Sequence, residues 1–303
     1  MSHGKVYFLL VVTAFLWGGN AVAAKKVLTE ISPVVLTMLR FAVFSAILMI
    51  AAWFREGRRS IPAKRYLLTL LLMGLSSTVL NNGLQFTGLV YSTAINCVVI
   101  TAFGPAITGV LASVVLDERL NSRQWVGVAI SAVGVVLIAS GGSWMRLFGL
   151  SFNWGDILFL WACVGWSVYS IAGRRIMKEF SPLSTTAWAG GFGTLMMLVI
   201  ALLQGFDGNI PVTGANWGWL AYMCFGSGLV AFTLWNIGVE AIGPNKASVF
   251  INLIPLFGIL FSVLLLDEKL GWFHGMGAIW IIGGVWLATR SHRDISELTR
   301  EVV

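Results

Sequence analysis

Asn20, Asn82, Gln85, Asn96, Tyr169, Asn236 and Asn252 stand inside runs of Leu, Val, Ile, Ala and Phe. A polar side chain inside a bilayer is costly enough to be a site hypothesis by default. Trp17, Trp166 and Trp235 share those runs, as do Trp161 and Trp188, all nearer mid-run than an interfacial belt requires. Amides, a phenol and indoles supply hydrogen bonds and ring faces but no nucleophile. They suit reversible binding of a moderately sized amphiphile, either an amino acid or an organic cation over a ring face. The plainer alternatives are packing of bulky rings and interhelical hydrogen bonds worth roughly 0.6 to 2 kcal/mol each. Asn82 and Gln85, three apart, share a helix face and would line one wet surface, while Asn81 points elsewhere. Arg40 lies about two turns into its run, placed to snorkel, to bind an anion or to satisfy freed carbonyls.

The absences are informative too. The acidic residues all fall in loops or at the ends of apolar runs, and His3, His274 and His292 are no more central. Proton-coupled carriers keep an Asp, Glu or His relay within the membrane. Transport is therefore expected to be facilitative, or weakly coupled through an end residue such as Glu240. Cys97, Cys163 and Cys224 lack CxxC spacing, so neither a disulfide framework nor a metal site is expected. GxSxG, HExxH and GxxxxGK[ST] patterns are absent, which argues against an enzyme and against ATP-driven transport by this chain. No cofactor is expected. The expected partners are a small-molecule substrate and the lipid bilayer, without nucleic acid, in a monomer or weak homodimer.

These residues must be positioned by membrane helices. The chain of 303 residues is 57% hydrophobic and 11% charged, with mean hydropathy +0.85, whereas globular domains carry roughly 25% charge. Ten apolar runs read as spans: about 6–24, 33–54, 66–88, 91–116, 124–140, 155–174, 182–204, 216–238, 245–266 and 271–289. They are too long for barrel strands and lack period-two alternation. The first run resembles a signal peptide, with Lys5 ahead of it and Ala21-Val22-Ala23 behind, but its pattern recurs around Trp166, so it reads as a retained span. Pro105 and Pro255 should kink the fourth and ninth spans and loosen the carbonyls of Thr101 and Ile251.

The chain writes its units twice. GPAITGVLASVVLDERL at 104–120 matches IPLFGILFSVLLLDEKL at 254–270, pairing Pro105 with Pro255 and Asp117-Glu118 with Asp267-Glu268. At an offset of 149, Trp17 matches Trp166, Lys25-Lys26 match Arg174-Arg175, and Ser32-Pro33 match Ser181-Pro182. Such repeats set the architecture. The charge of +7 orients it: of the twenty Lys and Arg, outside loops hold only Lys25, Lys26, Arg146 and Lys269 when the N-terminus is cytoplasmic, and Arg40 lies in a span. Five spans per unit invert the second copy. The expected fold is thus an all-α polytopic membrane protein, with repeats at 1–143 and 150–290 and a cytoplasmic tail at 291–303. Inverted repeats mark secondary transporters, with the substrate near the midplane between the halves. A channel would need a continuous polar stripe, and a membrane scaffold is the remaining class.

FLWGGNAVAAKK at 15–26, MLRF at 38–41, GLVYSTAINCVVITAFGPAITGVLASVVLDERL at 88–120 and the second-half counterparts together resemble the EamA-type branch of the drug/metabolite transporter superfamily. The resemblance spans nearly the whole chain. It implies a ten-helix inner-membrane carrier with a central cavity built by helices 1, 3, 4, 6, 8 and 9. Members commonly export amino acids, other metabolites or toxic amphiphiles. The arginine of MLRF recurs whatever the substrate, which implies a structural role for Arg40. The second half has Ala189 in its place.

Overall fold

The computed structural model describes residues 3–92, 94–149, 153–266 and 270–289; the expected tail at 291–303 and Asp267, Glu268 and Lys269 lie outside these. Every regular element among the described residues is helical, the form that satisfies a backbone crossing hydrocarbon from within.

In chain order, α1 (His3–Gly18) continues into α2 (Asn20–Val27), and α3 (Pro33–Glu56) follows. A third run comprises α4 (Lys64–Gly74) and α5 (Leu84–Tyr91), joined by a π-helical segment, Leu75–Gly83. Next come α6 (Ala94–Thr101), α7 (Gly104–Val115), α8 (Ser122–Ala139) and the short α9 (Trp144–Phe148). The rest comprises α10 (Trp154–Ile176), α11 (Pro182–Leu203), α12 (Asn216–Cys224), α13 (Ala231–Val249), α14 (Ile254–Leu266) and α15 (Trp272–Thr289). Eight helical runs among the described residues are long and apolar enough to cross a bilayer.

Two expectations take a different form. The fourth helix is not one rod: a turn at 102–103 separates α6 from α7, whose first turn holds Pro105 where a missing N–H costs nothing. The eighth and ninth adjoin within one run of residues, Asn216–Phe261, as two helices that meet at a kink. That run is broken sharply at Gly243 (φ 80°, ψ 160°), a conformation open only to glycine, followed by Pro244. Ahead of Pro255 the expected loosening appears as a 3-10 turn, Phe250–Leu253.

Local chemistry explains the starts. Ser32 and Ser181 accept from the backbone of Val35 and Ser184, each with proline as the first helical residue, so the doubled Ser-Pro is a doubled N-cap. Packing is doubled as well. α8 and α15 meet so closely that a Cβ on Gly127 would lie 2.6 Å from Gly284 O, and one on Gly134 would lie 2.8 Å from Gly277 O. Gly127 corresponds to Gly277 and Gly134 to Gly284, so the two contacts are copies related by the repeat. These glycines join elements of one chain; Gly275 and Gly283 meet nothing.

A π-helical segment recurs at Phe225–Val230, starting 150 residues after the first. Widened turns of this kind aim the helix beyond them and are frequent at functional sites.

Candidate functional site

The rings gather where α1, α3, α10 and α13 meet. Trp17 on α1 and its repeat counterpart Trp166 on α10 touch edge to face at 5.1 Å and 83°. Trp235 lies 5.5 Å from Trp17 and 5.0 Å from Trp166. Phe232 completes the cage, 5.7 Å from each of Trp17 and Trp166 and 5.4 Å from Phe41 and Phe44 of α3. Residues 232, 235 and 236 fall on one helix face, so α13 delivers two rings and an amide together. Tyr169, one turn beyond Trp166, sits 5.4 Å from it.

Polar atoms of this cage are only half engaged. The Asn236 amide donates to Tyr169 Oη and to Thr186 Oγ1, both at 2.6 Å. Trp17 Nε1 donates to Ser227 O at 3.0 Å. Trp166 Nε1, Trp235 Nε1 and Asn236 Oδ1 are buried and have no partner. Burying a polar atom unpaired costs roughly 1–3 kcal/mol. Trp235 is 1% exposed and Asn236 0%, so water outside does not relieve them.

Beside the cage lies a knot around Arg40. Its guanidinium turns inward, not toward the bilayer surface, and donates to Met223 O, Asn82 Oδ1, Ser227 O and Ser227 Oγ at 2.9–3.2 Å. Met223 and Ser227 flank the start of the second π segment, so the arginine satisfies carbonyls there. Ser227 also donates to Asn20 at 2.8 Å, and Asn82 donates to Ser77 O and Asn81 Oδ1. The second half has no arginine at this place. There Gly74 and Gly193 pass so closely that a Cβ on Gly74 would lie 2.7 Å from Gly193 N and from Ala189 O.

The structure thus brings Trp17, Trp166, Tyr169, Trp235 and Asn236 together, with Asn20 and Asn82 joined to them through Arg40 and Ser227. It holds the other candidates elsewhere. Gln85 faces Cys97 Sγ at 3.8 Å, not the face of Asn82. Asn96 donates to both oxygens of Asp156, a buried carboxylate that also accepts from Ser92 and the Asn153 backbone in the N-cap of α10. Asn252 donates to Ser131 of α8 at 2.7 Å. Trp161 is 55% exposed on the outer surface, and Trp188 donates to Ser60 O. Phe232, Thr186 and Ser227 are the members that pattern did not single out; the repeat match of Ser227 to Ser77 was the available signal. Grooves of about 480 Å³ and 290 Å³ open around Met49 and Trp188 between α3 and α11, and none of the other candidates lines them.

Residues 4–140 and 153–290 each match the model of the EamA-like transporter family. An uncharacterized transporter of Bacillus subtilis, YyaM, is 28% identical over 292 residues, 95% of each chain. An uncharacterized transporter of Archaeoglobus fulgidus is 29% identical over 287 residues, covering 95% of this chain and 98% of its own. A solved crystal structure, 19% identical, shares the fold with a TM-score of 0.80 over 95% of this chain and 97% of that one.

Proposed function

The chain belongs to the EamA-like transporter family, and from that premise we propose that it is a secondary exporter of amino acids or related small metabolites. It works by alternating access between two inverted five-helix halves in a bacterial-type inner membrane, with both termini cytoplasmic. The ten crossings are the seven single runs, the α6–α7 pair, and the run Asn216–Phe261 counted as two. Forty-six residues of helix would extend about 69 Å, over twice the ~30 Å of hydrocarbon, and the break at Gly243 divides them. The substrate occupies the ring cage where the repeat-related Trp17 and Trp166 meet.

One observation carries the substrate class: the buried, unpartnered N–H groups of Trp166 and Trp235, whose rings lie 5.0 Å apart, together with the unpaired Oδ1 of Asn236. Two free donors on neighbouring rings match a carboxylate, the amide oxygen matches a second polar group such as an ammonium, and the rings take an apolar side chain. A ligand that pairs these atoms regains the ~1–3 kcal/mol lost by each. An organic cation is the second reading, favoured by the ring faces. Against it, no carboxylate hydrogen-bonds to these side chains among the described residues, and Arg40 lies 5.9 Å from the Phe232 ring. A channel reading lacks its continuous polar stripe, and a scaffold would gain nothing from unpaired buried donors.

The test is transport by purified protein in sealed proteoliposomes, with labelled amino acids, with and without an imposed pH gradient. Saturable uptake is expected, lost in Trp166→Ala, weakened in Asn82→Ala, and with an endpoint indifferent to the gradient. Failure to move any amino acid would overturn the substrate class, and non-saturating flux would favour a channel. Accumulation driven by the gradient that survives Glu240→Gln would overturn facilitation.

A further inference from the structure

Two of the doubled motifs, recognised separately in sequence, meet in space at one end of the molecule. Arg174 of α10 donates through Nε to Glu118 Oε1 at 3.4 Å. Glu118 follows α7 in the LDERL of the first half, whereas Arg174 belongs to the second. The guanidinium also donates to Val239 O at 3.4 Å and to Glu240 O. Those are the carbonyls four residues before Gly243 and Pro244. Proline has no N–H to return to Glu240 O, so Arg174 caps the helix that the Gly243–Pro244 break ends.

Glu118 is seated in that same break. A Cβ on Gly243 would lie 2.6 Å from Glu118 Oε2, and its φ of 80° independently requires glycine. On the far side of the break, Asn245 Nδ2 donates to Glu118 O at 2.7 Å. Next to it, Arg175 donates to Val115 O at the end of α7. Beneath this cluster the two elements are held by Thr108 and Ser167, whose hydroxyls lie 2.8 Å apart. The opposite seam between the halves, α1 on α14, has a close pass of Gly18 on Phe257 and Gly258. Thr108 and Gly258, like Ser167 and Gly18, are repeat counterparts.

We infer that Glu118, Arg174 and the Gly243 notch form a charge latch that holds one end of the passage shut, and that breaking it shifts the protein toward the state open at that end. The inference rests on the alternating-access reading proposed above. The bonds involved are polar and side-chain mediated, 27% and 34% exposed at the ion pair, so water can replace them as the end opens. The glycine seam, apolar and close-packed, has no such substitute. That difference makes this cluster a tie between the halves that can come undone.

The test reads accessibility at the two ends, not transport. Full-length protein with Cys97, Cys163 and Cys224 changed to Ser carries one reporter, Thr108→Cys beneath the latch or Asn20→Cys toward the other end. Each is labelled by a membrane-impermeant maleimide applied from one face of oriented vesicles. Glu118→Gln should speed labelling of Thr108→Cys from the Arg174 face about fivefold and slow labelling of Asn20→Cys from the opposite face by a similar factor, as loss of a partly exposed ion pair allows. Gly243→Ala, which evicts the Glu118 carboxylate sterically, should do the same. If a saturating amino acid moves the two rates in opposite directions but neither Glu118→Gln nor Gly243→Ala does, the latch is wrong and alternation stands. If the two rates only rise and fall together under every condition, alternation fails and the latch with it.

Discussion

Arg40 and Asn236 present the same difficulty, a polar head group deep in a membrane protein, and resolve it differently. Arg40 spends four contacts on Met223, Ser227 and Asn82, whereas Asn236 leaves one end of its amide unpaired. The first arrangement is structural, and the proposed function gives the second to a ligand. Arg40→Met should leave the Asn82 oxygen unpaired and take one donor each from Met223 O and Ser227 O, at a cost of about 1–3 kcal/mol, seen as a lower Tm in detergent with transport of every substrate falling together. Arg40→Lys should recover only part of it, because an ammonium cannot reproduce the planar fork. Much of this was legible: tryptophans within apolar runs, one pair related by the repeat, are visible in any reading. Phe232 was hidden because nothing separates it from the other phenylalanines. Thr186 was hidden because its hydroxyl also serves its own helix, donating to Pro182 O. Asn96 and Asn252 show the converse. A buried amide that pairs with Asp156 or Ser131 has the same sequence signature as one that faces a substrate.

At the scale of elements, backbone proximity and backbone interruption decide the geometry. The α8–α15 seam depends on having no Cβ at two repeat-related crossings. Gly284→Ala should cost about 1–3 kcal/mol through forced separation of the helices, whereas Gly283→Ala, facing open space, should leave the Tm unchanged. Comparing the two variants by thermal unfolding removes any general effect of alanine in a helix. Helix positions were readable because runs of apolar residues are long and the Ser-Pro caps are explicit. The π segments were not readable, since a widened turn changes no residue type. The break between the eighth and ninth spans was readable to within a few residues, since the apolar runs end at 238 and resume at 245 and Gly243-Pro244 lies at the gap.

Across the whole molecule, ties between the halves sit at the edges as well as the centre. Glu30 accepts from the backbone and hydroxyl of Thr213, and Glu179 pairs with Arg65 and Tyr66. Glu30 and Glu179 are repeat counterparts. The two Thr213 donors hold the Glu30 carboxyl below its ordinary value of 4.5. A depressed carboxylate contributes stability above its unfolded pKa and loses it as pH falls through the folded one. The tie should therefore weaken below about pH 4.5, and Thr213→Val should flatten that part of the Tm profile.

The central claim is that the substrate's carboxylate takes up the unpaired indole donors, and counterflow in proteoliposomes with 3-benzothienylalanine in place of Trp166 and Trp235 tests it most directly. This variant keeps both bicyclic rings and replaces only the two N–H groups, by sulfur. We expect KM for a transported amino acid to rise about 100-fold, as loss of two hydrogen bonds to a charged group implies, with Tm unchanged and with the descarboxy amine of the same side chain handled equally by variant and parent. An unaltered KM, or an amine preferred over the amino acid by the parent, would contradict the account.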